Sequence, residues 1–278
     1  MSAPLIFDRG LIRQRRQRAL RQGAAPFLLE RASEELLGRL SAVQREFTHV
    51  LDLGTPTPAL AQSLGPRALR AAADLPADVI CDEELLPFAP QSFDCVASAL
   101  ALQFVNDLPG ALAQIRRALR PDGLFLACLI GGESLHELRA AFTQAESETS
   151  GGASPRVAPF ADVRDMGGLL QRAGFALPVA DVERVTVRYG HVFRLMADLR
   201  AMGATNALVA RARAPLGRAC AMRVAEIYAE RFADPDGRVR ATFDIVWLSG
   251  WAPHESQQKP LKPGSAQARL ADALKTKG

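Results

Sequence analysis

The feature that most constrains the fold is a series of short, almost fully apolar segments that alternate with segments of helical pattern. The run over residues 49–54 is mostly apolar and ends in Asp52-Leu-Gly54. Similar runs occupy residues 92–98 and 124–130, and residues 108–119 between them carry apolar side chains at helical spacing. Strands of this kind, separated by helices, indicate a parallel sheet covered on both faces. The sequence therefore predicts an open α/β fold.

The remaining segments extend this pattern over most of the 278 residues. Further helices are predicted at residues 9–40, 59–64, 162–173 and 191–203, further strands at 68–75, 78–81, 182–189 and 241–248, a turn at 121–123 and a loop at 147–155. The chain length fits one large α/β domain with additions or two small domains.

The formal net charge of +4 is concentrated at the two ends of the chain. Residues 1–25 carry six arginines and one aspartate, and residues 259–278 carry five basic residues and one acidic residue, so residues 26–258 have a net charge of −5. A mildly acidic body argues against a nucleic-acid-binding core. The basic run over residues 13–21 is interpreted as a solvated helix face or, alternatively, as a docking surface for anionic lipid or an acidic protein subunit.

The cysteines and histidines suggest no metal site. The four cysteines are widely spaced without a C-x-x-C pair, which indicates free buried thiols in a reducing compartment. The four histidines form no H-x-D or H-x-x-x-H pair that would assemble an iron site locally. No apolar run approaches 18 residues, so no membrane span is predicted. We expect a bacterial cytoplasmic protein, since Asp8 and the lack of a serine-rich stretch argue against a transit peptide.

Polar and acidic residues follow the predicted strands at the points where the strands end. Asp52 and Gly54 follow the first strand, Asp74 the second and Asp82-Glu83 the third, and residues 98–103 follow the next. In open α/β sheets ligands bind beyond the carboxyl ends of the strands, so these residues are predicted to share one crevice. A carboxylate after the second strand suits a ribose diol, and one after the third suits an exocyclic adenine amine.

Several motifs resemble those of class I S-adenosylmethionine-dependent methyltransferases of type 11. The similarity is greatest to the mitochondrial complex I assembly factor 5 family and its bacterial relatives. It extends over nearly the whole chain, through Leu51-Asp-Leu-Gly54, Asp82-Glu-Glu-Leu-Leu-Pro-Phe88, residues 92–109, Leu119-Arg-Pro-Asp-Gly123, Gly131-Gly-Glu-Ser-Leu-His-Glu-Leu-Arg139, residues 151–155, residues 196–203, Asn206 and residues 250–257.

The resemblance implies a Rossmann-like class I methyltransferase fold with a seven-stranded, mostly parallel sheet. It implies a basic helical extension over residues 1–45, a methyltransferase-like domain over 46–250 and a polar basic tail over 251–278. It also implies S-adenosylmethionine as cofactor and a complex I subunit as protein substrate, on which the family's assembly factor hydroxylates an arginine. The candidate cofactor-binding residues are Asp52, Gly54, Asp74, Asp82, Glu83, Ala99 and Leu100, and the candidate substrate residues are Gln103, His136 and His254.

One departure from the family pattern concerns the turn after the first strand. Pro56 and Pro58 stand where the superfamily has glycines. Proline lacks an N–H, fixes φ and adds bulk, so cofactor binding is expected to be weakened, lost or dependent on a rearranged loop. The alternative function is therefore a non-catalytic assembly chaperone with a degenerate cofactor loop. For the polar cluster around His254, a capping role at the end of the last strand is favoured over a role in substrate contact.

Overall fold

The computed structural model describes residues 5–73 and 77–258, in which one mixed sheet is covered by helices on both faces. The strands are β1 (Val50–Leu53), β2 (Ala68–Ala72), β3 (Val79–Ile80), β4 (Phe93–Ala99), β5 (Leu119–Gly131), β6 (Ala176–Tyr189) and β7 (Val239–Trp251). The helices are α1 (Arg9–Gln22), α2 (Phe27–Ser41), α3 (Ala59–Leu64), α4 (Leu108–Ala118), α5 (His136–Ser150), α6 (Val163–Arg172), α7 (Val192–Ala201) and α8 (Arg218–Phe232).

The sheet has the order β3-β2-β1-β4-β5-β7-β6. The first five strands run parallel, whereas β7 is antiparallel to both of its neighbours. The prediction of a seven-stranded, mostly parallel sheet is thus confirmed. Because β1 to β4 are parallel, their carboxyl ends meet at one edge of the sheet, and the end of β7 lies at the opposite edge, where Trp251 pairs with Leu124.

Two apolar cores form, one on each face of the sheet. On one face, helices α2, α5, α7 and α8 pack onto the strands through side chains such as Leu36 and Tyr228. On the other, α4 and α6 contribute Leu112 and Leu170, both without accessible surface. Burial of a side chain of this size contributes about 1.5–3 kcal/mol, so both faces of the sheet are tightly held.

Several helix ends follow from local capping chemistry. The Asp8 carboxylate accepts a hydrogen bond from the Leu11 N–H at 3.0 Å, and Asp107 caps α4 through the Gly110 N–H at 2.9 Å. The predicted single helix over residues 9–40 is wrong, because Gly23, with φ of +90°, and Pro26 separate α1 from α2.

Other boundaries also differ from the prediction. The loop predicted at residues 147–155 starts only at Gly151, because α5 continues to Ser150 and is ended by Gly151 with φ of +71°. The predicted turn at residues 121–123 lies within β5, where Asp122 has φ of +61°.

The four cysteines are free and buried, as the sequence predicts. Burial raises the pKa of Cys81 to about 11 and the pKa values of Cys95 and Cys128 to about 12. These three thiols therefore stay protonated at neutral pH and are packing groups. Nowhere in the described chain does a helix combine the length and the apolar character that crossing a bilayer requires.

Candidate functional site

The site begins at Asp52 in β1, whose side chain has no accessible surface. Neither carboxylate oxygen has a hydrogen-bond partner of normal geometry among the described residues. Burial raises the pKa of Asp52 to about 6, opposed by the nearby Thr55 hydroxyl and the Arg70 guanidinium. An unsatisfied buried carboxyl at a strand end is unfavourable for stability, which is typical of a group that serves a ligand.

The turn that follows β1 is held in place by hydrogen bonds from residues of β2 and β4. The Thr55 carbonyl oxygen accepts a hydrogen bond from Nη2 of Arg70 at 2.7 Å, and the Thr55 hydroxyl accepts one from the Ala99 N–H at 3.1 Å. The Ser98 hydroxyl donates to the Leu53 carbonyl at 2.7 Å. Thr55 is fully buried, so the turn is a fixed structure despite Pro56.

Gly54 occupies a position that no other residue fits without strain. Its φ is +72°, and a Cβ there would lie 2.6 Å from Oε1 of Glu83 and 3.1 Å from Cβ of Ala101. The turn after β1 therefore lies directly against the residues that follow β3 and β4, as the strand-end pattern predicts. The backbone of Gly54 is also tied to β2 by its N–H, which donates to the Ala71 carbonyl at 2.8 Å.

The acidic residues after β3 are paired with arginines of α1. Arg9 contacts Asp82 at 2.6 Å and Glu84 at 2.9 Å, and it also forms an ion pair with Glu83, whose side chain is only 4% exposed. Arg13 contacts Asp82 at 2.5 Å. Helix α1 thus covers the end of the crevice where the resemblance places a nucleoside.

Little free space remains at this end of the crevice. The cavity between Arg9, Ala73, Glu83 and Phe104 has a volume of about 10 Å³. Asp74, the candidate ribose-binding residue, lies outside the described residues, and Ala73 is the last described residue of β2's carboxyl end.

A large cavity of about 1160 Å³ lies beside the β1 turn, and of the described candidate cofactor-binding residues only Leu100 lines it. Pro56, Thr57, Leu100 and Gln103 line it from the strand ends, and α1, α2, α7 and residues 204–216 supply much of the rest. Ala99 is fully buried at the end of β4 and positions Leu100.

Two features of Leu100 and Gln103 set them apart from packing residues. Leu100 has φ of +49°, a strained conformation for a branched residue and one that concentrates at functional sites. Gln103 donates from Nε2 to the Leu100 carbonyl at 2.8 Å, while its Oε1 is buried without a hydrogen-bond partner among the described residues. Gln103 lines the cavity, and rotation of its side chain would present this acceptor to a ligand.

The structure places the other two candidate substrate residues outside the cavity. Nδ1 of His136 lies 3.0 Å from the Glu133 carbonyl and 3.5 Å from Oε2 of Glu137, and His136 is absent from the cavity wall although Leu135 belongs to it. His254 is exposed beyond the end of β7, at the sheet edge opposite the crevice, where its Nδ1 is 2.7 Å from the Ser256 hydroxyl. Because β7 runs antiparallel to β5, its carboxyl end and His254 beyond it lie at the sheet edge opposite the crevice.

The arginines that line the cavity or pair with the acidic residues after β3 were not predicted as site residues from the sequence. The basic run of α1 is not wholly a solvated face: Arg13 pairs with Asp82, and Arg15 and Arg16 line the cavity. Only Arg18 and Arg21 of the run are exposed. Arg200, Arg211 and Arg213 also line the cavity, and they come from segments for which the sequence predicted no site. No local spacing connects these positions, because the fold alone brings them together.

Comparison with known proteins agrees with the fold. A family model described as a methyltransferase domain matches residues 47–127. The YcgJ protein of Bacillus subtilis has the same fold, with a TM-score of 0.54 over 80% of this chain and 99% of that chain at 14% identity. The protein is a member of the class I S-adenosylmethionine-dependent methyltransferase superfamily.

Two sequence relatives define the family. The mitochondrial arginine-hydroxylase NDUFAF5 of Danio rerio is 37% identical, with 97% of this chain and 90% of the relative aligned. The malonyl-[acyl-carrier protein] O-methyltransferase of Halorhodospira halophila is 34% identical, with 86% of each chain aligned. The chain belongs to the family of the NDUFAF5 arginine-hydroxylases and these bacterial O-methyltransferases. Since these relatives are named as enzymes, the comparison favours an enzyme over the assembly chaperone.

The residues of the crevice fit the cofactor of this superfamily, S-adenosylmethionine. Asp52 is a buried carboxyl without a hydrogen-bond partner of normal geometry in the described chain, and Gly54 lets the turn pack directly against Glu83 and Ala101. Glu83 supplies a second buried carboxylate after β3, two strands away from β1, and is paired in this structure with Arg9. The carboxylate acceptors expected of such a site are therefore present, with α1 lying across the nucleoside end.

Proposed function

We propose that this protein is an S-adenosylmethionine-dependent methyltransferase that acts in the assembly of respiratory complex I. The observation that carries the proposal is that the residues following β1 and β4 at the carboxyl edge of the sheet, Pro56, Thr57, Leu100 and Gln103, line the large cavity. Methyl transfer mainly requires that an acceptor be held close to the methyl carbon and in line with it, and the cavity gives an acceptor space beside these strand ends.

Each crevice residue has a distinct task in this proposal. Asp52, Gly54 and Glu83 would hold S-adenosylmethionine, which supplies an electrophilic methyl group when bound. Gln103 orients the substrate by accepting a hydrogen bond at Oε1, which has no other partner in the described chain. Leu100, fixed by its N–H bond to the Cys128 carbonyl at 2.9 Å, forms the apolar wall that excludes water beside the reacting groups.

The proposed partner is a protein subunit of complex I, and the proposed location is the bacterial cytoplasm at the membrane surface. The relationship to the mitochondrial NDUFAF5 proteins supports a protein partner. Exposed Arg18 and Arg21 on α1 support contact with an anionic membrane, which attracts basic residues near its surface.

Hydroxylation of an arginine is the second candidate activity. The observation that favours it is the 37% identity to an arginine-hydroxylase over 97% of this chain. The two candidates are separated by incubating the protein with S-adenosylmethionine and a purified complex I subcomplex and then measuring peptide masses. A gain of a methyl group on the subunit supports the proposal, whereas a gain of an oxygen atom supports the second candidate.

Calorimetric titration with S-adenosylmethionine and S-adenosylhomocysteine tests the proposal directly. We expect both to bind the wild-type protein and binding to be lost in Asp52→Ala. The control is Glu255→Ala, which removes an exposed carboxylate at the opposite edge of the sheet and leaves binding unchanged. Absence of binding to the wild type, with binding gained in Pro56→Gly/Pro58→Gly, would overturn the proposal in favour of a degenerate cofactor site.

A further inference from the structure

The large cavity carries an excess of positive charge. Its charged lining residues are six arginines and one aspartate, namely Arg15, Arg16, Arg156, Arg200, Arg211, Arg213 and Asp8. The other lining residues are uncharged, and most are apolar. This concentration of one charge contrasts with the net charge of −5 over residues 26–258.

Two of these arginines have carboxylate partners. Nη2 of Arg211 lies 3.3 Å from Oδ2 of Asp8, and Nε of Arg156 lies 2.7 Å from Oε1 of Glu146. The charges of this pair of guanidinium groups are therefore compensated within the protein.

Three others are not compensated in this way. Arg15 donates to main-chain carbonyls, that of Thr205 at 2.8 Å and that of Asn206. Arg200 and Arg213 are exposed and form no ion pair with residues 5–73 or 77–258. Charges at this rim are thus available to a ligand.

Neighbouring guanidinium groups, whether compensated or not, repel Arg15. Burial lowers the pKa of Arg15, and repulsion from Arg211, Arg18 and Arg200 lowers it further. Asp8 opposes the shift only in part. A negative group placed among these arginines relieves their repulsion, which favours binding of an anion and disfavours binding of a cation such as a guanidinium group.

The apolar part of the cavity defines the rest of the ligand. Leu135, Leu138, Phe142 and Phe243 line the wall formed by α5 and β7. The volume of about 1160 Å³ lies slightly above the usual range of roughly 300–1,000 Å³ for the site of one small molecule, so a chain of several methylene groups fits in the cavity.

We propose that this cavity binds an aliphatic carboxylate, with its chain against the α5 and β7 wall and its carboxylate among Arg15, Arg200 and Arg213. Guanidinium groups match carboxylates in geometry as well as in charge, because their N–H donors form a planar fork. That this ligand belongs to the substrate rests on the proposed function, whereas the binding site itself does not.

Calorimetry with octanoate and octylamine tests the site, since the two share a chain and differ in the sign of the head group. We expect octanoate to bind the full-length protein at least about tenfold more tightly than octylamine. We also expect butyrate to bind at least about tenfold more weakly than octanoate, because fewer methylene groups are buried. Equal or tighter binding of octylamine would overturn the inference.

The double variant Arg200→Gln/Arg213→Gln tests the residues. Both side chains are exposed and form no ion pair in the described chain, so the fold should be unchanged, which the melting temperature verifies. We expect octanoate affinity to fall at least about tenfold, with octylamine affinity unchanged or increased. Arg194→Gln, on the same helix but outside the cavity wall, serves as control. Unchanged octanoate affinity in the double variant would refute the assignment.

A parallel titration with S-adenosylhomocysteine separates this inference from the proposed function. Binding of S-adenosylhomocysteine without binding of octanoate would refute the carboxylate site alone. Binding of octanoate without binding of S-adenosylhomocysteine would refute the proposed function and leave the carboxylate site standing.

Discussion

Asp52 links the chemistry of the crevice to the stability of the chain. Burial raises the pKa of Asp52 from 3.8 to about 6, so between these values the folded chain holds a proton that the unfolded chain has released. A group that binds more protons in the folded state makes the free energy of unfolding fall as the pH rises. This fall in the free energy of unfolding is complete above about pH 6, because Asp52 is then ionised in the folded chain as well as in the unfolded chain.

We therefore predict that Asp52→Asn gains stability relative to the wild type as the pH rises from about 4.5 to about 7.5. Over this pH range, the difference in free energy of unfolding between the variant and the wild type should change by about 2 kcal/mol, since one pKa unit corresponds to about 1.4 kcal/mol. Urea unfolding of both proteins at several pH values measures it. A constant difference across this range would mean that Asp52 titrates at its ordinary pKa.

Gly54 gives a second prediction at the residue scale. Gly54→Ala and Gly65→Ala both place a side chain at positive φ, which costs about 1–2 kcal/mol. At Gly65 nothing lies within 4 Å of the new Cβ, whereas at Gly54 it meets Glu83 at 2.6 Å. We expect Gly54→Ala to lose a further 1–3 kcal/mol, roughly, and its cofactor binding, with binding unchanged in Gly65→Ala. Thermal unfolding and calorimetry provide the two measurements, and equal losses in both variants would contradict the expected clash.

At the scale of elements, α1 is held across the crevice by Arg9. Arg9 is paired with three carboxylates and is 17% exposed. Removal of one partner from a largely buried ion pair leaves the others uncompensated. Glu83 would then be a buried carboxylate without its guanidinium.

We predict that Arg9→Gln lowers the free energy of unfolding by about 2–3 kcal/mol and speeds amide hydrogen exchange in α1. S-adenosylmethionine should bind this variant several-fold more tightly, because the carboxylates after β3 no longer have Arg9 as a competing partner. Arg18→Gln, on the exposed face of the same helix, should change neither property. Weaker binding in Arg9→Gln would instead identify Arg9 as a ligand-supporting residue.

The elements that sequence reasoning recovered are those with strong local patterns. The fully buried strands β1 and β4 and the buried residues 124–129 of β5 are mostly apolar runs, and α4 has its buried residues at helical spacing with an aspartate cap. Helices α5 and α8 were missed. Helix α5 buries small residues such as Ala141 and Ala145, which give little contrast between its faces.

The edge strand β6 was predicted only in its second half. Its first half contains Pro178 and charged Asp181, and it is ordered by pairing along β7. Tertiary pairing overrides local propensity in such a segment. The ion pair of Arg9 with Glu83 joins residues 74 positions apart, so no local pattern predicts it.

At the scale of the whole molecule, the charges are distributed in space differently from the way they are distributed along the sequence. Arg9, Arg13 and Arg15 contact other residues of the chain, which leaves Arg18 and Arg21 as the exposed part of the basic run. Two arginines of the basic amino-terminal region, Arg9 and Arg13, are therefore internal counter-charges to the carboxylates after β3. Any attraction of α1 to an anionic surface depends on Arg18 and Arg21.

We predict that Arg18→Gln/Arg21→Gln weakens binding to vesicles containing phosphatidylglycerol by about 2 kcal/mol, because each basic residue near such a surface contributes about 1 kcal/mol. Sedimentation with vesicles at low and high salt measures the effect. Arg164→Gln/Arg218→Gln removes the same charge from exposed positions on α6 and α8 and should leave binding unchanged. Similar loss in both variants would show that net charge, not α1, determines the association.

The burial of all four cysteines has a practical consequence for measuring motion in this protein. Since no native thiol lies on the surface, a cysteine introduced at an exposed position would react selectively with a maleimide probe. His254→Cys would place one probe at the sheet edge remote from the crevice, and Gln22→Cys would place another at the end of α1. A change in the distance between the two probes on addition of a ligand would then report movement of α1 relative to the sheet, with the native cysteines left in place.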